Sequence, residues 1–176
     1  MNLYAFHWTA GGWIPVGGVL NAEVVSAGYK YRMYPTIALD AGGAPVVAWN
    51  QGNQNYVTRW TGSAWQPLGT RDPAPQGQAF EQPVLAADAQ GRLVVAERFG
   101  FDHKVVARVR RWDGTTWIPL GGNLDAYAGT TLESTPTGLA FNPEGNPIVV
   151  FGEQTAPLPL TAAMPINLFV WQYGKP

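Results

Sequence analysis

Two glutamates that close apolar stretches, Glu97 after LVVA and Glu153 after VVFG, are the residues best suited by type to acid–base or nucleophilic work. Such a pair hydrolyses glycosides when its oxygens lie roughly 5 Å apart, or somewhat farther for inversion. Spacing along the chain leaves that distance open. Arg98, next to Glu97, offers the other outcomes, a polar ligand contact or an ion pair satisfied within the fold. Other reactive types are scarce. His7 and His103 are the two histidines and form no ligand-spaced or triad-like cluster, and Ser26, Ser63 and Ser134 lack a G-x-S-x-G context. The absence of cysteine excludes a disulfide framework, a thiolate metal site and a cysteine nucleophile. Asp40, Asp88 and Asp113 lie in short polar turns, where a carboxylate bonds local backbone donors. Calcium would need several converging oxygens, which no single turn offers, so no metal and no cofactor are expected.

The chain that must position these groups has 176 residues, enough for one domain with a sizeable core. Its content of 46% hydrophobic and 13% charged residues, with eight tryptophans, excludes a disordered tail or a coiled coil. Eleven basic against twelve acidic side chains leave a net charge of −1, without the electrostatic footprint of a nucleic-acid binder. No apolar run reaches 18 residues, and MNLYAFHW lacks the layout of a signal peptide, so no membrane insertion is expected.

A repeat organises the chain. FHWTAGGWIPVGG, TRWTGSAWQPLGT and RRWDGTTWIPLGG superimpose without gaps, and Trp8, Trp60 and Trp112 follow one another at steps of 52 residues. Trp13, Trp65 and Trp117 keep the same step, and NLFVWQYG is a final partial copy carrying Trp171. Between these lie PTIALDAGGAPVVAW, PVLAADAQGRLVVAE and PTGLAFNPEGNPIVVF, beginning at Pro35, Pro83 and Pro136. Each motif reads as a β-hairpin, so the unit is a four-stranded meander, A and B from the second motif and C and D from the tryptophan motif. Strand B (Pro45 to Trp49, Leu93 to Glu97, Pro147 to Phe151) is apolar almost throughout and belongs inside. Strand D carries Pro15, Pro67 or Pro119, tolerated on an edge. The fold class expected is all-β, a β-propeller of about three blades, as one partial domain with units near 1–20, 35–69, 83–121 and 136–176.

That makes thirteen strands where three blades use twelve, and three blades are too few to close a ring. The first and last strands read as the same strand C. Either the chain belongs to a larger propeller or it is a homo-oligomer that completes its ring by strand exchange.

The pairing of W-x-G-x-x-W-x-x-L-G with P-x-L-A-x-D-x-x-G-x-P-V-V-A-W resembles secreted or surface bacterial β-propellers related to kelch-like and sialidase-like blades. RRWDGTTW is also similar to blades of fucose-binding lectins. The resemblance covers the whole chain and implies an extracellular or cell-envelope location. It does not carry the sialidase Asp-box, since Asp113 and Gly114 are adjacent. Nor does it carry the fucose-site glutamate, whose positions hold Ala5, Val57 and Val109.

In such a meander the B–C and D–A connections share one face, and here they include the long segments from Val19 to Tyr34, Thr70 to Gln82, Asn123 to Thr135 and Gly152 to Pro165. Long connections on a rigid repeat are where binding residues sit. That face carries Tyr29, Tyr31, Arg32, Tyr34, Phe80 and Tyr127, with Glu97, Arg98 and Glu153 at the ends of B strands. Aromatic rings beside charges suit a glycan or a protein partner, or else pin the loops. The repeated tryptophans Trp8, Trp13, Trp60, Trp65, Trp112, Trp117 and Trp171 are explained by packing between blades. Trp49, whose counterparts are Glu97 and Phe151, escapes the repeat and is expected to face a central opening. The reading is a non-catalytic scaffold presenting a binding face, with two alternatives: a glycoside-active enzyme using Glu97 and Glu153, and a purely structural assembly segment.

Overall fold

The computed structural model describes residues 2–21, 33–51, 54–69, 82–101, 104–124, 131–155 and 167–174. Thirteen strands and no helix occur among them. A hairpin, β1 (Phe6–Thr9) and β2 (Gly12–Pro15), comes first, followed by a four-stranded antiparallel blade, β3 (Thr36–Leu39), β4 (Pro45–Gln51), β5 (Gln54–Trp60) and β6 (Trp65–Pro67). The second blade is β7 (Val84–Ala87), β8 (Leu93–Phe101), β9 (Lys104–Trp112) and β10 (Trp117–Pro119). The last unit has three strands, β11 (Thr131–Phe141), β12 (Pro147–Thr155) and β13 (Asn167–Gln172). The order A-B-C-D holds in each complete blade, and among the described residues the backbones of the proline strands β6 and β10 pair with no strand besides their own strand C.

Side chains in the turns hold the meanders. Between A and B, Asp40 accepts from Gly42 N and Ala44 N at 2.9 Å, Asp88 accepts from Gln90 N and Arg92 N at 2.9 Å, and Asn142 accepts from Asn146 N at 2.8 Å. Gly43, Gly91 and Gly145 then turn the chain at φ near 76°, 72° and 78°, a region that costs a Cβ-bearing residue about 1–2 kcal/mol. The ion pair of Arg92 with Asp88 lies under the next turn, for a Cβ on Gly145 would run into Arg92 Nη2.

Burial opposes the charge of Asp88, but the backbone N–H of Arg92, its guanidinium and the backbone N–H of Gln90 outweigh it and hold this carboxyl below its ordinary value. A group lowered in this way contributes stability that is complete above its unfolded value and is lost as pH falls through the folded one. Thermal melts from pH 7 downward should show Asp88→Asn less stable than wild type at neutral pH, with the gap closing below about pH 4. A gap that persists unchanged into acid would contradict this role.

The core lies between blades. Leu20, Val47, Trp49 and Tyr56 join the first hairpin to the first blade, with Leu3, Ala5 and Trp65 against them. Val46, Ala48, Leu85, Leu93, Val95 and Trp117 fill the next seam, and Val94, Ala96, Ala107, Val109, Val149 and Phe151 the one after. Successive residues of strand B thus serve opposite seams. This explains why the strand is apolar at every position instead of alternating.

Two connections differ from the expectation, and in one of them Gly152 to Thr155 are not loop but the end of β12, paired with β11. The stretch from Asn123 to Thr135 is not all loop, because β11 begins at Thr131 and makes a parallel bridge from Glu133 to Val105. Strand β10 covers only Arg110 to Trp112 of the long β9. The rest of that edge would stand unpaired, and it takes a bridge from Leu124 to Ala107 and the start of β11 instead. The second and third units therefore join into one seven-stranded sheet.

Candidate functional site

Where strands B pass into strands C, polar residues replace apolar ones. On the first blade Asn50 donates to Gln54 O at 3.2 Å and Asn55 Oδ1 at 3.3 Å, and Tyr56 OH donates to Gln54 Oε1 at 3.2 Å. Asn21 ties the hairpin to this end, donating to Gln51 Oε1 at 3.0 Å and accepting from Leu3 N at 2.8 Å.

Glu97 and Arg98 do not end their strand as expected, because β8 runs on to Phe101 paired with β9; Glu97 sits at its middle, opposite Arg108, and is 1% exposed. Its Oε1 accepts from Arg108 Nε at 2.9 Å and pairs with Arg110 Nη2 at 2.6 Å, while Oε2 accepts from Asn55 Nδ2 at 2.8 Å. Asn55 belongs to the neighbouring blade, so the carboxylate fastens the seam as well as pairing charge. The Arg108 guanidinium lies 4.1 Å above the Phe99 ring, a cation–π contact worth about 0.5–2 kcal/mol. Alternation along β9 places Arg108 and Arg110 on one face. Both are more buried than edge charges would be, at 17% and 12% exposed.

Glu153 is likewise fully buried and engaged, opposite Ser134 of β11 and Asn167 of β13. In the sheet, β9 and β11 stand between β8 and β12. A retaining pair needs about one strand spacing, so the two glutamates are not brought together in that way. Arg98 is half-buried, with partners of its own.

Trp49 does not face an opening. It is 1% exposed, stacked on Tyr56 at 5.3 Å and enclosed by Leu20 and Val47, because its side of β4 turns toward the first hairpin. Tyr34 is half-buried with φ near 41°, and Gln82, also just before a strand A proline, has φ near 50°. Such strained backbone collects at functional sites. Tyr29, Tyr31, Arg32, Phe80 and Tyr127 lie outside the described residues.

The repeated indoles pair within each hairpin, Trp8 with Trp13 at 5.5 Å and Trp60 with Trp65 and Trp112 with Trp117 at 5.4 Å. Trp65 Nε1 donates to Val16 O at 2.9 Å and Trp117 Nε1 to Leu68 O at 2.8 Å, each across a seam. Trp8, Trp13 and Trp171 are exposed, so packing between blades does not account for them within the described residues, although Trp171 also lies edge-on to Phe151 at 6.4 Å. Asn55, Asn21 and Phe99 were not legible as site residues, since only the register between strands brings them to these partners. No group of metal-ligating side chains occurs among the described residues.

No protein-family model and no curated protein matches the chain. Among solved structures it is similar to an endo-arabinase from Bacteroides thetaiotaomicron, with TM-score 0.51 and 19% identity over 71% of this chain and 46% of that one. It also matches an alpha-L-arabinanase of Penicillium chrysogenum complexed with arabinobiose, with TM-score 0.48 and 19% identity over 69% of this chain and 41% of that one. The chain spans less than half the length of either. The first likeness, joined to the repeated four-stranded blades, shows the fold: this chain is a run of β-propeller blades.

Proposed function

We propose that the chain is a non-catalytic β-propeller scaffold, of the kelch-like and sialidase-like kind and extracellular or envelope-associated, that binds a glycan on the face formed by its B–C ends and D–A connections. The observation that carries the non-catalytic part is the environment of Glu97, a buried carboxylate already engaged by Arg108, Arg110 and Asn55. Support for a glycan is the gathering of amides, arginines and rings at one end of the blades, the mixture that sugar recognition uses. An endo-arabinase shares the fold, which makes arabinan the first glycan to try.

The test is calorimetry of wild type against arabinan oligosaccharides and a wider glycan panel. Tyr34→Ala and Arg98→Ala should weaken binding tenfold or more while arabinan incubated with wild type releases no reducing ends. Release of reducing ends that Glu97→Gln abolishes would replace this reading with the glycoside-active one.

A further inference from the structure

The seam between the two complete blades opens into a cavity of about 290 Å³ on the side of the A–B and C–D turns, away from the B–C ends. Leu68, Leu93 and Trp112 give it apolar walls, and Arg59, Arg92 and Asp113 stand among its polar ones. The two A–B turns that border it are locked together, since a Cβ on Gly91 would run into the backbone of Ala41. Val57 and Val109, at the positions of the lectin glutamate, line no part of it.

The repeat shows why this seam is open. Asp88 finds an arginine four residues on, Arg92, but Ala44 holds that place in the first blade, and Asp40 takes Arg59 of strand C instead. In the second blade Arg111, the counterpart of Arg59, is not needed by Asp88 and crosses its seam to donate to Gly145 O at 3.2 Å. Gly91 is the counterpart of Gly145, so the same crossing by Arg59 would span the cavity. Arg59 meets Asp40 through Nε and keeps its Nη donors for other partners, on a side chain 46% exposed.

Asp113 supplies the complementary acceptor. Its Oδ1 accepts from Thr115 N and Thr116 N at 2.8 Å, which leaves Oδ2 for a hydroxyl. The first blade has Thr61 at this place, where its hydroxyl serves the same turn, so the carboxylate is an addition the turn does not require. Charge decides the class of ligand. Arg59 and Arg92 are each paired with an aspartate, and Asp113 adds one more negative group, so an anion is not favoured. Small-ligand pockets start near about 300 Å³, which suits one ring rather than a chain of them. We propose that this cavity binds a single neutral sugar ring, with the apolar face of the ring against Trp112 and its hydroxyls shared between Arg59 and Asp113. The site is separate from the B–C face and stands whether or not that face binds a glycan.

The probes are the methyl glycosides of glucose, galactose, mannose, fucose and arabinose, with that of glucuronic acid as the charged control, titrated into the full chain and followed by backbone amide NMR. At least one neutral glycoside should bind with a Kd near about 1 mM, the strength expected of one small ring, and shift the amides of Gly42, Gly91 and Gly114. Asp113→Thr copies what the first blade has in this turn, and Gly42→Leu puts a side chain where Gln90 and Glu144 stand in the other copies. Each should weaken binding about tenfold or more, with melting curves like that of wild type. The glucuronic acid glycoside should bind more weakly than that of glucose, and a tighter hold on it overturns the proposal. So does the absence of any shift with the neutral glycosides at tens of millimolar. Shifts confined to the B–C ends, or binding indifferent to both variants, overturn it too.

Discussion

Gly69→Ala should destabilise the chain by about 2–5 kcal/mol, whereas Gly121→Ala, at the same place in the next repeat, should cost a single chain only about 1–2 kcal/mol. Both glycines have positive φ, 85° and 76°, so the backbone term is shared. The difference is packing. A Cβ on Gly69 would lie 2.9 Å from Trp112 Cζ3 and 2.9 Å from Trp117 Cδ1, inside two rings that are wedged between blades, while on Gly121 it would meet Tyr173 at 3.7 Å. Overpacking of that kind costs about 1–3 kcal/mol beyond the backbone strain. Against a total of about 5–15 kcal/mol for a domain, the first change removes much of the stability. Urea titrations of the two variants measure the contrast. Equal losses would mean that the seam indoles give way freely and that the glycine matters only for its φ.

Glu97→Ala should cost about 3–5 kcal/mol, because it takes from Arg108 and Arg110 the buried carboxylate that both guanidiniums share. It also strands Asn55 Nδ2, the donor from the neighbouring blade. Adding Arg110→Met to Glu97→Ala should recover a large part of the loss, since removing a buried pair as a whole is far less harmful than removing one partner. The double-mutant cycle, read by denaturant midpoint, separates a fastening carboxylate from a catalytic one: a fastening residue moves stability and is rescued by its partner's removal. A Glu97→Ala variant as stable as wild type would show that the network contributes nothing.

The architecture was legible because its cause is written several times. Each hairpin turn needs Asp, Asn or Thr to bond its own backbone and glycine to take a positive φ, and those requirements leave the same letters at the same spacing. Strand D prolines marked edges, since proline removes a donor that an inner strand needs. Trp49 was misread for the opposite reason. It departs from the repeat, and a departure from the repeat does not by itself expose a side chain. The first hairpin, standing in front of β4, encloses it.

Single occurrences carry no such redundancy, and the site is made of them. The sequence alone determined the strand count, the order of strands within a blade, the buried character of strand B and the shortage of groups able to do chemistry. Local rules of turn, pleat and edge suffice for these. Only the tertiary structure decided that Glu97 is engaged by two arginines of the next strand and an asparagine of the next blade. It alone placed Trp65 and Trp117 on carbonyls 49 residues away. Those facts depend on how one twisted sheet stacks on another. Stacking is a relation between segments far apart in the chain, set by the summed fit of many side chains and written at no one position.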